Sequence, residues 1–300
     1  MRYSVFILIV ILLLSGCGRP SAREVAPGTA PTIIATTTFL ADIAANVAGD
    51  RLRVDSLLPF GADPHSYQPI PADAVKISKS NVLIVNGLDY EHFLTSLLVN
   101  VGGQRVLITA SDGLEPRKME AEGEKIIDPH MWLDPIKVIK YVENIRDGLS
   151  QVDSEGAEIY KSNADVYIGE LQELDTWIKE EVAQIPAEQR LLVTNHEALG
   201  YFADRYGFIV IGEVLQSVSS VASPSAQQMA ALIDQIKANG APAIFLDVSD
   251  NPTLAQQIAH ETGVTVVADL HLESLTEGAP AATYIDMMKH NVTQIVSALR

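Results

Sequence analysis

Residues 156–185 read GAEIYKSNADVYIGELQELDTWIKEEVAQI, a stretch without proline. Its apolar residues recur every three or four positions, the spacing of one face of an α-helix. These residues are Tyr167, Leu171, Leu174, Ile178, Val182 and Ile185. At a rise of about 1.5 Å per residue, the helix would be about 45 Å long, which is longer than one small domain needs. The stretch therefore predicts a helix that joins two lobes, with a surface helix on a single domain as the alternative.

On both sides of this stretch, short β-branched runs alternate with helical patterns, which predicts βαβ units. Four strands are predicted before it and four after it: 32–36, 52–58, 82–86, 105–109, 190–194, 209–213, 243–247 and 264–268. Helices are predicted between and after them: 40–47, 72–78, 90–101, 135–149, 199–206, 225–238, 254–262 and 283–299.

The predicted fold is therefore α/β, with two lobes that each hold a parallel four-stranded sheet flanked by helices. The N-terminal lobe comprises residues 31–153, the linking helix 154–186 and the C-terminal lobe 187–300. Two domains also fit a length above that of a usual single core. In such sheets ligands bind beyond the carboxyl ends of the strands.

Residues 1–16 have the features of a secretion signal: Arg2 supplies a positive charge, and the apolar run 5–14 is too short to span a bilayer. The sequence Leu14-Ser-Gly-Cys17 resembles a bacterial lipobox. This implies cleavage before Cys17, lipidation of that cysteine, and a protein exported to the outer face of the cell membrane or the periplasm. An ordinary cleaved signal is the alternative. Residues 17–30 would form a flexible tether.

Composition argues against a disulfide-stabilised protein and against a nucleic-acid-binding protein. Cys17 is the only cysteine, so an internal disulfide is impossible and a conventional core must stabilise the chain. The formal net charge of −17 repels phosphates, which argues against binding of nucleic acid.

Three of the seven histidines lie in constrained loops near the ends of predicted strands. The loops are Gly61-Ala-Asp-Pro-His65-Ser-Tyr, Asp128-Pro-His130-Met-Trp-Leu-Asp-Pro135 and Thr194-Asn-His196-Glu-Ala. Proline fixes its own φ and extends its predecessor, so the imidazole after it leaves the backbone in a preset direction. Imidazole suits zinc, copper, iron and nickel, and these loops predict a metal site shared by the two lobes. The other four histidines are interpreted as surface or packing residues without a neighbour at metal-ligand spacing: His92, His260, His271 and His290.

Together with His196-Glu-Ala-Leu-Gly-Tyr-Phe-Ala-Asp-Arg-Tyr-Gly and the terminal Thr-Tyr-Ile-Asp-Met-Met-Lys-His-Asn, these motifs resemble the zinc/manganese solute-binding proteins of ABC importers. The resemblance covers residues 31–300. It implies two lobes joined by a rigid helix, a Zn²⁺ or Mn²⁺ ion between them, and delivery to a membrane permease and its ATPase. A monomer is expected.

The resemblance implies that His65, His130 and His196 are three of the metal ligands. The fourth in this family is taken to be an aspartate two residues before the tyrosine of the last-helix motif, where this chain has Ala282. Asp247, at the end of a predicted strand, is the candidate replacement. Glu213 and Asp269 end neighbouring strands and are its competitors. There are two alternatives to Asp247 as a ligand. In one, Asp247 is a structural acid that supports another ligand; in the other, a water molecule occupies the fourth position.

Three nitrogen ligands and one oxygen ligand favour zinc over manganese. Many zinc-binding members carry a histidine-rich loop before the second ligand, but residues 114–127 are short and contain no histidine. Zinc is therefore the preferred prediction, and manganese remains open.

A zinc hydrolase with an open fourth position is the alternative function, with Glu197 as its base. The chain lacks a His-Glu-x-x-His motif and a second acid clearly placed for proton transfer. A haem or siderophore carrier would not need three clustered histidines, and nothing in the sequence marks an adhesin surface. The sequence favours a non-enzymatic metal carrier.

Overall fold

Two parallel four-stranded sheets, each covered by helices, form the frame of the molecule. The computed structural model describes residues 30–121 and 124–300, so the signal sequence, Cys17 and almost all of the tether lie outside the described residues. The first sheet has the strand order β2-β1-β3-β4 and the second β10-β9-β7-β8. The predicted two-lobed α/β fold is confirmed.

Each of the eight predicted strands lies within two residues of its predicted bounds. The strands of the first lobe are β1 (Ile33–Ala35), β2 (Val54–Ser56), β3 (Val82–Val85), β4 (Val106–Thr109), β5 (Lys118–Ala121) and β6 (Glu124–Ile127). Those of the second are β7 (Leu191–Thr194), β8 (Ile209–Glu213), β9 (Ala243–Asp247) and β10 (Thr265–Leu270). The antiparallel hairpin of β5 and β6 was not predicted.

Nine α-helices lie within the described ranges. They are α1 (Thr38–Ala48), α2 (Pro71–Lys79), α3 (Leu94–Val101), α4 (Pro135–Val152), α5 (Ala157–Val182), α6 (Gly200–Tyr206), α7 (Ala226–Asn239), α8 (Thr253–Thr262) and α9 (Tyr284–Leu299). Local sequence sets several ends: the Asp134 carboxylate accepts a hydrogen bond from the N–H of Ile136, with Pro135 in the first turn of α4. None of the described helices is both long and apolar enough to cross a membrane.

The linking helix α5 has 26 residues and is about 39 Å long. It packs against α1 and α4 of the first lobe and against α9, which covers β9 and β10 of the second. Its predicted apolar face is buried, including Tyr167, Leu171 and Ile178. One helix thus contributes to the packing of both lobes.

The two lobes also share a continuous hydrophobic core. Trp132 of the first lobe stacks on Phe39 with ring centroids 4.6 Å apart, and its Nε1–H donates to the carbonyl of Leu272 in the second lobe. The hydroxyl of Tyr284 in α9 donates to the carbonyl of Trp132 at 2.6 Å. Because interiors are densely packed, this junction resists large displacements of one lobe against the other.

Candidate metal centre

Both Asp-Pro-His motifs fold into the same local turn. The aspartate carboxylate accepts a hydrogen bond from the N–H of the histidine two residues later, at 2.9 Å for His65 and 3.0 Å for His130. Asp128 Oδ1 also lies 2.9 Å from Nδ1 of His130. With Nδ1–H donated to Asp128, Nε2 of His130 is the nitrogen left for a metal ion.

His196 comes from the second lobe, two residues after β7. The Thr194 hydroxyl donates to the carbonyl of His196 at 2.8 Å, and the N–H of Glu197 donates to the carbonyl of Ser217 at 2.8 Å. These bonds fix the backbone on both sides of the imidazole, which reaches His65 and His130 across the boundary of the lobes.

A fourth side chain, Glu273, completes a group whose ligand atoms all lie within 4.8 Å of one another. Its Oε1 is 3.3 Å from Nε2 of His130, 3.3 Å from Nε2 of His196 and 3.7 Å from Nε2 of His65. Nε2 of His65 and Nε2 of His130 are 3.4 Å apart. A tetrahedron with metal–ligand bonds of about 2.0–2.1 Å has edges of about 3.3–3.4 Å, so three of these four separations match a four-coordinate ion and the fourth is slightly longer.

The four side chains are only 0–2% exposed. Among the described residues, Nε2 of His196 and Oε1 of Glu273 are buried polar atoms without a hydrogen-bond partner. Leaving such atoms unpaired is costly, and a cation among the three Nε2 atoms and Oε1 would satisfy both. The donor set therefore fits a metal ion.

Contacts within the cluster shift the pKa values of Glu273 and His130. Burial raises the pKa of Glu273, but the three imidazoles outweigh burial and lower its pKa well below the ordinary value. Burial lowers the pKa of His130, but Asp128 and Glu273 outweigh it and raise this pKa to about 10. Without metal, His130 therefore holds a proton that an entering metal ion must displace.

Neighbouring groups fix Glu273. The hydroxyl of Tyr90 donates to its second carboxylate oxygen, Oε2. The backbone N–H groups of Leu272 and Glu273 donate to Oδ2 of Asp247. These contacts place Oε1 toward the three imidazoles.

Asp247, assigned from the sequence as the fourth ligand, lies outside the cluster. It is buried, and its Oδ1 accepts hydrogen bonds from the N–H and hydroxyl of Ser249 at 2.7 and 2.6 Å. With Oδ2 bound to the segment of Glu273, both oxygens are engaged by protein donors. The structure replaces Asp247 by Glu273 in the cluster, and Asp247 supports the segment that carries it.

The other candidate positions are also outside the cluster. Ala282 is exposed and borders a separate groove. Glu213 is not in the cluster and lies beside Glu197. Burial and this neighbour raise the pKa of Glu213 to about 8. Asp269 is exposed.

Sequence reasoning missed Glu273 because it ended the last strand at residue 268. The strand extends to Leu270, with an irregular register against β9 between Val267 and Leu270. The acid at the carboxyl edge is therefore Glu273, three residues beyond the strand. The sequence Leu270-His-Leu-Glu273-Ser, which places an acid shortly after the strand, was the feature that could have identified Glu273.

One guanidinium connects the histidine loops of the two lobes. Nη1 of Arg117 donates to Asp128 at 3.0 Å and to Glu197 at 2.7 Å, and its Nε donates to Asp204 at 2.8 Å. Gly200 makes room for this contact, since a Cβ there would lie 1.4 Å from Nη1. Arg117 thus links the acid behind His130 to the residue after His196.

Comparison with known proteins gives a match over nearly the whole described chain. The sequence model of the family "ZnuA: Zinc-uptake complex component A periplasmic" matches residues 33–298. The chain is 36% identical over 298 residues to the manganese-binding lipoprotein MntA of Halalkalibacterium halodurans, covering 99% of this chain and 98% of that protein. Other matching relatives are named for manganese and one for iron.

Solved structures agree with the family match. The Mn-bound periplasmic metal-binding protein from Candidatus Liberibacter asiaticus has a TM-score of 0.81 and 29% identity, covering 90% of this chain and 100% of that one. The periplasmic zinc-binding protein TroA from Treponema pallidum has a TM-score of 0.82 and 26% identity, covering 90% of this chain and 99% of that one. The chain thus belongs to the family of periplasmic component A of zinc-uptake complexes, whose relatives here are substrate-binding proteins of ABC importers and not enzymes.

Proposed function

We propose that this metal-binding component of an ABC importer takes zinc as its preferred cargo, with manganese as the second candidate. His65, His130, His196 and Glu273 would bind the ion. The observation that carries the proposal is the buried set of three Nε2 atoms and one carboxylate oxygen, in which three of four separations equal the edge of a tetrahedral site.

The donor set supports zinc over manganese. Three imidazoles and one carboxylate suit a borderline ion, whereas manganese prefers oxygen ligands and more of them. At equal donors the affinity order of divalent ions also places zinc far above manganese. The names of the relatives divide between the two metals, with MntA named for manganese and TroA for zinc.

The same arrangement supports carriage over catalysis. Glu273 occupies the position in which a zinc hydrolase holds its reactive water, and the cluster is closed to solvent. The ion would lose its water ligands, bind to the four side chains, and pass to the permease of the importer. The ATPase of the importer would drive transport through the permease. The protein's part is capture and delivery.

Metal selectivity provides the direct test. Protein stripped of metal should bind one tightly held Zn²⁺ per chain, at least about 100-fold more tightly than Mn²⁺, as measured by competition with chelators of known affinity. His65→Ala should lose this tight binding, whereas His260→Ala, which alters an exposed histidine of α8, should keep it.

The possible results separate metal choice from the existence of the site. Tighter binding of Mn²⁺ would reject the zinc preference and leave the carrier function in place. Full zinc occupancy in His65→Ala would reject the site itself.

We also propose that the mature chain is attached to the membrane through lipid on Cys17 and works there as a monomer. The resemblance of residues 14–17 to a lipobox supports this, and relatives are named as lipoproteins. In cells that process lipoproteins, the wild-type chain should fractionate with membranes and Cys17→Ser should not. Equal membrane association of the two would exclude the lipid anchor.

A further inference from the structure

A second group of potential ligands lies where β10 ends against α9, and none of its members belongs to the first cluster. Asp269 and His271 stand two residues apart on the strand and its extension, and His290 projects from the helix. One potential ligand atom from each lies within 4.8 Å of the others. The two histidines are 19 positions apart in the sequence, and the fold brings them together, contrary to the prediction that neither has a neighbour at metal-ligand spacing.

The separation of two of the potential ligand atoms suits a single metal ion. Nε2 of His290 is 2.8 Å from the backbone carbonyl oxygen of Asp269 and 3.4 Å from its Oδ2. The distance of 3.4 Å matches the edge of a tetrahedral site with bonds of about 2.0–2.1 Å, whereas 2.8 Å is a hydrogen-bond distance. The rings of His271 and His290 have centroids 5.3 Å apart.

The backbone beside this group is fixed by Asn291, the residue after His290. Its Oδ1 accepts from the N–H of His271 at 2.8 Å, and its side-chain NH₂ donates to the carbonyl of His271 at 2.7 Å. The strand end and the helix therefore keep a constant separation. Preorganisation of this kind lowers the entropy cost of binding an ion.

Exposure differs from that of the first cluster. His271 is buried and the His290 side chain is 14% exposed, whereas the Asp269 side chain is 60% exposed. One side of the group is therefore open, so that water can complete the coordination of a bound ion. Such a site exchanges its ion readily.

From this geometry we propose a second, open site for a borderline divalent transition metal, of which Zn²⁺ is the representative. Asp269, His271 and His290 are its protein ligands. The site binds more weakly than the closed cluster, because it has fewer side-chain ligands and competes with water. It fills only after the closed cluster is occupied.

The competing explanation is structural: His290 does no more than donate a hydrogen bond to the carbonyl of Asp269 and join the helix to the strand. His290→Gln separates the two roles, since a glutamine amide can still donate to that carbonyl but is a poor metal ligand. Asp269→Asn is a second variant, at an exposed position where misfolding is not expected.

The experiment is a calorimetric titration with Zn²⁺ alone of protein whose closed cluster already holds one zinc by elemental analysis. The wild type should bind one further Zn²⁺ per chain, and His290→Gln and Asp269→Asn should weaken this event at least about tenfold. His260→Gln should leave it unchanged. The first zinc should stay bound in all variants.

Two results would overturn the second site. One is the absence of a further binding event in the wild type at about 100 μM free zinc, a concentration that would half-fill a site with a dissociation constant of that size. The other is a further event of equal affinity in His290→Gln. Because the first zinc is counted separately, neither result bears on the closed cluster.

Discussion

Glu273→Gln is expected to weaken zinc binding by more than about 100-fold, beyond the 10- to 100-fold typical of residues that only support a ligand. The substitution keeps the size of the side chain and removes the one carboxylate among three imidazoles. It also removes the charge that, with Asp128, raises the pKa of His130. Competition with a chelator at fixed pH measures the change.

Asp247→Asn provides the comparison, because Asp247 holds the backbone of Leu272 and Glu273 without facing the cluster. Its expected loss is about tenfold. Glu213→Gln, at a carboxyl outside the cluster, should have little effect. A larger loss of zinc affinity in Asp247→Asn than in Glu273→Gln would show that Asp247, and not Glu273, is the ligand.

Arg117→Met is expected to destabilise the metal-free protein by about 2–3 kcal/mol. Removing one partner of a buried pair costs about 3–5 kcal/mol, and the 31% exposure of the Arg117 side chain reduces this. Asp128 and Glu197 would be left facing each other, with side chains 0% and 7% exposed. For a chain of this size the melting temperature should fall by about 3–6 °C.

Arg53→Met is the matched control. Arg53 forms an ion pair with Asp55 at 2.8 Å, the same distance as the bond from Arg117 to Asp204, but its side chain is 87% exposed. Exposed pairs contribute about 0–1 kcal/mol, so the melting temperature should change by no more than about 2–3 °C. Equal shifts in the two variants would show that Arg117 does not link the lobes.

The parts of the fold that the sequence predicted well are those in which pattern and burial coincide. The strand predicted at 82–86 is observed at Val82–Val85 and is buried throughout, and the helix within 156–185 is observed at Ala157–Val182. Continuous apolar runs and a sustained helical period are direct consequences of burial. They need no knowledge of what packs against them.

The parts that were missed depend on contacts between distant segments. The β5–β6 hairpin is rich in Lys and Glu, and apolar residues alternate with polar ones only over the four residues of β5, too few to predict a strand. Glu273 depends on an irregular register in β10, and register follows from the neighbouring strand. Sequence reasoning found the proline of each Asp-Pro-His motif but not the role of its aspartate as an acceptor for the histidine N–H.

The near-complete burial of the four clustered side chains has a kinetic consequence. An ion bound among side chains that are 0–2% exposed would be shielded from water and chelators, so its dissociation would require local opening of the protein. Residence time is then set by the frequency of opening and not by the strength of the metal–ligand bonds. Dilution outside the cell would not empty such a carrier, and a partner that opens it on contact would control when the cargo leaves.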